Sequence, residues 1–172
     1  MSEDIRIEYD NFRKKIEMTA NQLVARLIEK GLYISTAESC TGGMIASSIV
    51  DVADASKCFN EGHVTYSNAA KMKYLNVSNL TLSSFGAVSS ETVKEMALGL
   101  MNKTSADVTV VTSGIAGPTG GTKEKPVGLV YISAAYNDKI LVSEYRFSGD
   151  RTMVRLKATL EALKLCSKVL DI

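Results

Sequence analysis

Glu38, Ser39, Cys40 and Thr41 run straight into Gly42 and Gly43, so one short turn carries a carboxylate, two hydroxyls and a thiol beside residues that let a ligand approach the backbone. Two further segments have the same character: Ser113-Gly114-Ile115-Ala116-Gly117-Pro118-Thr119-Gly120-Gly121 and Ser148-Gly149-Asp150-Arg151. The chemistry open to such turns is attack by a hydroxyl or thiol, and the holding of an anion by backbone N–H groups at a helix start. Taken singly, each has an ordinary reading. A serine before a glycine pair caps a helix, a glycine-proline loop is a turn, and Ser-x-x-Arg is local capping. Their sum argues for function, because on a sheet covered on both faces such turns converge at one edge.

Several established motifs are absent. There is no Gly-Lys dipeptide and hence no phosphate-binding loop of the G-x-x-x-x-G-K-[ST] type, and no G-x-G-x-x-G. Ala37 and Thr41 stand where the hydrolase elbow G-x-S-x-G needs glycines, and S-x-x-K does not occur. His63 is the only histidine, which rules out a metal held by two or more imidazoles, and no C-x-x-C pair occurs. No metal and no cofactor is expected.

The elements that must carry these turns are legible from periodicity. Ile16, Ala20, Leu23, Val24, Leu27 and Ile28 repeat on one face of a helix read from Glu8 to Lys30, which Gly31 stops. Leu32 to Ala37 reads as a strand, and Met44, Ile45, Ile49 and Val52 have helical spacing. The Glu38 to Gly43 turn therefore lies between the carboxyl end of a strand and the amino end of a helix, where open α/β sheets bind ligands. His63 to Tyr66 reads as the next strand, followed by a helix through Lys71 capped by Ser67 or Asn68. Ser78 to Gly86 is turn-rich, and Ser89 or Ser90 caps a helix bearing Val93, Met96, Ala97, Leu100 and Met101. Asp107 to Ser113 is a strand buried on both faces. The long loop to Gly128 precedes a hairpin of Leu129 to Ala135 and Ile140 to Phe147, and Ser148 is expected to cap the last helix. This order predicts an α/β fold: a three-layer α/β/α sandwich with a mixed, mostly parallel sheet and a C-terminal antiparallel hairpin.

The chain has 172 residues, a length that suits one domain over 1–172, with residues 1–19 as a helical leader. The formal charge of +1 lacks the basic excess that dominates duplex nucleic-acid binding, so no nucleic-acid partner is expected. Cys40, Cys58 and Cys166 are far apart and suit reduced thiols, pointing to the cytoplasm. The first residues form no secretory signal and no apolar run is long enough to span a membrane, so no membrane association is expected.

Six motifs in one order closely resemble the CinA C-terminal domain, the nicotinamide mononucleotide deamidase family. They are Thr36 to Gly43, Val64 to Lys71, Gly86 to Ser89, Ser113 to Gly121, Lys125 to Gly128 and Phe147 to Arg151, and the likeness covers roughly Ala20 to Val169. The resemblance implies an amidohydrolase that converts nicotinamide mononucleotide to nicotinate mononucleotide and ammonia, in pyridine nucleotide salvage, through a Ser-Lys dyad. Carried over by motif, the nucleophile is Ser39, the base Lys71 and a supporting arginine Arg151, with Tyr66 beside the lysine motif as a further catalytic candidate. Glu38, Thr41, Gly42, Gly43, Ser113, Gly114, Gly117 and Thr119 are the substrate-binding candidates. Departures flank the motifs: Cys58 where an aromatic is common, Phe85 where a histidine often precedes Gly86, and Asp54 where glycine is usual. The resemblance further implies a homo-oligomer with a small-molecule nucleotide substrate. Many relatives carry this module behind a larger, metal-dependent pyrophosphatase domain, an activity not expected here.

The residue chemistry stands beside that resemblance. A serine needs a nearby base, and with histidine so scarce a lysine is the natural one. Bringing a lysine from about 10.4 to near 7 takes on the order of 4–5 kcal/mol of preference for the neutral amine, from burial or a neighbouring cation. Arg151 is either that cation or a planar clamp for the substrate phosphate. The backbone N–H groups of Thr41, Gly42 and Gly43 suit an oxyanion or a phosphate. Cys40, at a helix start, is a rival nucleophile, Glu38 orients the loop or Lys71, and His63 has no catalytic part. The alternative function is a nucleotide-binding or partner-binding module of the same fold that has lost turnover.

Overall fold

The computed structural model describes residues 3–171. Helix α1 (Glu3–Lys30) buries Ile16, Ala20, Leu23, Val24 and Leu27 and ends at Gly31, whose φ of +65° is the left-handed cap that glycine favours. It starts earlier than the periodicity predicts, because residues 3–8 are all exposed and leave no apolar period to read; Tyr9 is the first buried residue, and its hydroxyl donates to Asp150. Strand β1 (Ile34–Glu38) is buried along its whole length and leads through the Glu38 to Gly43 turn into α2 (Met44–Val50). A single 3-10 turn (Ala55–Lys57) precedes β2 (Phe59–Val64).

That strand lies earlier than the expected His63 to Tyr66, and Tyr66 falls beyond its end, 63% exposed. As an outer strand its middle residues Asn60, Glu61 and Gly62 face solvent, so no apolar alternation marks it. Ser67 caps α3 (Asn68–Leu75) by accepting from the Ala70 N–H. The segment read as turn-rich contains a short helix, α4 (Asn79–Phe85), capped by Ser78. Then come α5 (Ser90–Thr104), capped by Ser89, and β3 (Val108–Gly114). Strands β4 (Leu129–Tyr136) and β5 (Lys139–Arg146) form the expected hairpin. The last helix, α6 (Arg151–Val169), is capped by Asp150, which accepts from the Met153 N–H. Ser148, the expected cap, lies too far upstream to reach the first turn.

The sheet order is β2-β1-β3-β4-β5, with β2, β1 and β3 parallel and β4 antiparallel to both neighbours. Only β4 runs against the rest, so the sheet is mixed and mostly parallel, as predicted. Helices α1, α2 and α6 close one face over a core that includes Leu23, Ile45, Val110 and Leu163. Helices α3, α4 and α5 close the other over Leu75, Met96, Leu100 and Val111. The consequence for function lies in direction: the ends of β1, β2, β3 and β5 and the start of β4 share one rim. Ser39, Thr65, Gly114, Leu129 and Phe147 all leave or enter the sheet there.

Candidate active site

Lys71 is the unusual residue of that rim. It is 1% exposed and heads the largest fully buried side chains, yet it carries an amine. Its Nζ lies 3.2 Å from Ser39 Oγ, 2.8 Å from the Thr65 carbonyl and 3.4 Å from the Tyr66 carbonyl. Neutral acceptors satisfy the amine without neutralising its charge, so burial lowers its pKa to about 8. The neighbouring-cation route is not the one taken: Arg151 donates instead to the Gly117 carbonyl at 2.8 Å and to the Tyr66 hydroxyl at 3.4 Å.

Ser39 is 7% exposed, and its N–H donates to the Thr112 carbonyl of β3. This backbone bond continues the β1–β3 pairing one residue past the strand and fixes where the hydroxyl emerges. An amine of lowered pKa within reach of a serine hydroxyl is an arrangement that can serve as a nucleophile and its base. The rival nucleophile fails on environment. Cys40 is 5% exposed and burial raises its thiol to about 11, the opposite of an activated thiolate. His63 pairs with Glu61 at 3.1 Å on the outer strand and makes no hydrogen bond to Ser39 or Lys71.

Several predicted contact residues turn out to be committed within the protein. Glu38 is 1% exposed, and its carboxylate accepts from the N–H groups of Gly43, Ile45 and Ala46 at 3.0, 3.1 and 2.9 Å. It therefore fills the anion site at the start of α2 from inside the chain, and Gly43 has no N–H left for a ligand. Thr41 shares a 2.8 Å hydrogen bond with the Thr112 hydroxyl, and Ser113 donates to the Ala87 carbonyl at 2.7 Å. A Cβ on Gly114 would come within 2.6 Å of Val130 and one on Gly117 within 2.5 Å of Val127. Both glycines thus serve close packing against β4 and its loop. Thr119 stays exposed on the loop. In the nucleophile turn the N–H groups of Cys40, Thr41 and Gly42 make no hydrogen bond among the described residues.

Two residues without a predicted role complete the rim. Arg155, one helical turn after Arg151, donates from Nε to the Cys40 carbonyl at 3.1 Å and from Nη2 to the Thr41 carbonyl at 2.8 Å. Lys125 donates to the Phe85 and Val88 carbonyls at 2.5 and 2.8 Å, tying the long loop to the α4–α5 turn. The i, i+4 spacing of Arg151 and Arg155 was the available signal for the first. A cavity of about 440 Å3 opens beside Arg151, lined by Ala116, Pro118, Val127, Asp150 and Thr152. A larger one of about 540 Å3, between α1 and α2, includes none of the predicted site residues. Among the described residues no cluster of three His, Cys, Asp or Glu could hold a metal, and no helix is long and apolar enough to cross a membrane.

The sequence pattern of the CinA C-terminal domain matches residues 16–170. The chain belongs to that family. CinA-domain relatives include the nicotinamide-nucleotide amidohydrolase PncC of Enterobacter agglomerans, 49% identical over 152 residues, 88% of this chain and 93% of that protein. The CinA-like protein of Kosmotoga olearia is 50% identical over 90% of this chain. The chain spans only about two fifths of the length of other relatives it matches, 38% of the Kosmotoga protein and 40% of a competence-damage inducible protein of Clostridium beijerinckii. Among solved CinA-fold structures, the competence/damage inducible protein CihA from Agrobacterium tumefaciens superposes with a TM-score of 0.89 at 40% identity, covering 91% of this chain and 96% of that one.

Proposed function

We propose that this chain is an amidohydrolase that converts nicotinamide mononucleotide to nicotinate mononucleotide and ammonia. The observation that carries the proposal is the 3.2 Å approach of the buried Lys71 amine, lowered to about 8, to the Ser39 hydroxyl. The likeness to an enzyme named for nicotinamide-nucleotide amide hydrolysis supports the substrate class.

In this reading neutral Lys71 takes the Ser39 proton as Oγ attacks the carboxamide carbon. The tetrahedral oxyanion accepts hydrogen bonds from the Thr41 and Gly42 N–H groups. Protonated Lys71 returns the proton to the leaving nitrogen, the C–N bond breaks, and ammonia departs from an acyl ester on Ser39. Water, deprotonated by the same amine, attacks the ester carbon; collapse releases the pyridine carboxylic acid and restores the serine. Arg151, bordering the 440 Å3 cavity, holds the substrate phosphate with the guanidinium edge that Gly117 does not occupy. Tyr66 steers that guanidinium through its hydroxyl. The same reading includes a cytoplasmic homo-oligomer, which light scattering of the purified chain would test.

The deciding experiment is ammonia release from nicotinamide mononucleotide by the wild type, Ser39→Ala and Lys71→Met. Turnover by the wild type, lost by at least ~10³-fold in both variants, is expected for a nucleophile and its base acting together. Thermal stabilisation by the nucleotide without any product would favour a binding module instead.

A further inference from the structure

The two peptide carbonyls held by Arg155 belong to the units whose opposite ends are two of the turn's unpartnered N–H groups, those of Thr41 and Gly42. In a trans peptide the C=O of one residue and the N–H of the next point in opposite directions. Arg155 draws the carbonyls of Cys40 and Thr41 toward α6, so the N–H groups of Thr41 and Gly42 are turned away from α6. The same turn begins with Ser39, to which α3 of the other helical layer delivers Lys71.

We infer that Arg155 is a positioning residue that aims the Thr41 and Gly42 N–H groups at the oxyanion formed during attack by Ser39. The inference rests on the amidohydrolase reading above and assigns this arginine a part in it. Three further observations support it. Arg155 pairs with no carboxylate among the described residues, so its charge is directed at these carbonyls and not at an ion pair. Gly42 has φ +62°, and a Cβ there would stand 3.3 Å from the Arg155 guanidinium, so the turn and the arginine fit each other closely. Glu38 grips the same turn from its other end through the Gly43, Ile45 and Ala46 N–H groups. The peptide units between Cys40 and Gly42 are thus held on their carbonyl side, while the Thr41 and Gly42 N–H groups make no hydrogen bond among the described residues.

The test is steady-state kinetics on Arg155→Met and Arg155→Lys beside the wild type. Because donors of this kind act in the transition state, Arg155→Met is expected to lower kcat by about 10²–10³-fold with KM changed less than about 3-fold. Arg155→Lys, which keeps a cation but reaches one carbonyl, is expected to fall in between. The acidic limb of the pH profile should stay where it is, since Lys71 is untouched. Unchanged kcat, a rise in KM alone, or a displaced acidic limb would each overturn the inference. If Arg155→Met does not fold, the same readouts on Arg155→Lys decide. Labelling of Ser39 by a fluorophosphonate separates this inference from the substrate assignment. A wild type inactive on the nucleotide but labelled faster than the Arg155 variants would overturn the substrate alone. Equal labelling rates would overturn the role of Arg155.

Discussion

Gly99 of α5 lies against the carbonyl of Leu75 at the end of α3, where a Cβ would come within 1.7 Å of the oxygen. No side chain fits between these two helices at that point, and α3 is the helix that carries Lys71. Gly99→Ala must push α3 outward. It is expected to cost about 1–3 kcal/mol in urea denaturation and to lower kcat, because Lys71 moves with its helix. Unchanged kcat in a destabilised variant would mean that α3 can shift without dragging the amine off Ser39.

The pH dependence of turnover follows from Lys71. A base must be neutral to accept the serine proton, and this amine gains its proton as pH falls through about 8. The rate at low substrate concentration should rise about tenfold per pH unit below that value and flatten above it. A profile already flat from pH 6 to 9 would remove Lys71 from the role of base.

Stability should respond to the same group. The lysine is lowered from 10.5 to about 8 on folding, so between those values the unfolded chain holds more protons and stability rises with pH. Below about 8 both states are protonated and the folded protein bears the whole cost of the buried charge, on the order of 3 kcal/mol. Lys71→Met is therefore expected to be more stable than the wild type at pH 7, with the gap narrowing toward pH 10. Urea midpoints at several pH values would measure it, and a gap independent of pH would contradict the assignment of the shift to burial.

Glu38→Gln keeps the shape of the side chain but offers one acceptor oxygen where two now take three N–H groups. Its amide hydrogens would face donors. The expected loss is about 1–3 kcal/mol of stability together with a fall in kcat, as the nucleophile turn loosens. Circular dichroism melts alongside the ammonia assay would reveal both.

Much of this layout was legible in the chain. The three glycine-bearing turns do meet at one rim, because β-branched runs and helix-spaced apolar residues dictate a doubly covered sheet whose strand ends share an edge. Ser39 and Lys71 come together as their motifs imply. Glu38 was harder: a buried carboxylate capping a helix from across a turn has the same sequence appearance as one facing a ligand. Arg155 left little trace, since holding two carbonyls needs no partner side chain whose type could be recognised. The cap of α6 is not decided by residue type, because Ser148 and Asp150 are both good caps and only the backbone sets which is adjacent to the first turn. Helix α4 escaped because seven residues rich in Ser, Thr and Asn bury only Thr81 and Leu82.

The sheet's direction divides the molecule's labour between its two ends. At the end away from Ser39 lie the starts of β1, β2 and β3 and the tight β4–β5 turn at Asn137 and Asp138, where Asn137 adopts a φ of +51°. No proposed catalytic side chain comes from that end. A reporter dye or a short peptide grafted between Asn137 and Asp138 would be carried by the fold at a distance of a full strand from the chemistry, free to report on folding or to tether the protein to a surface.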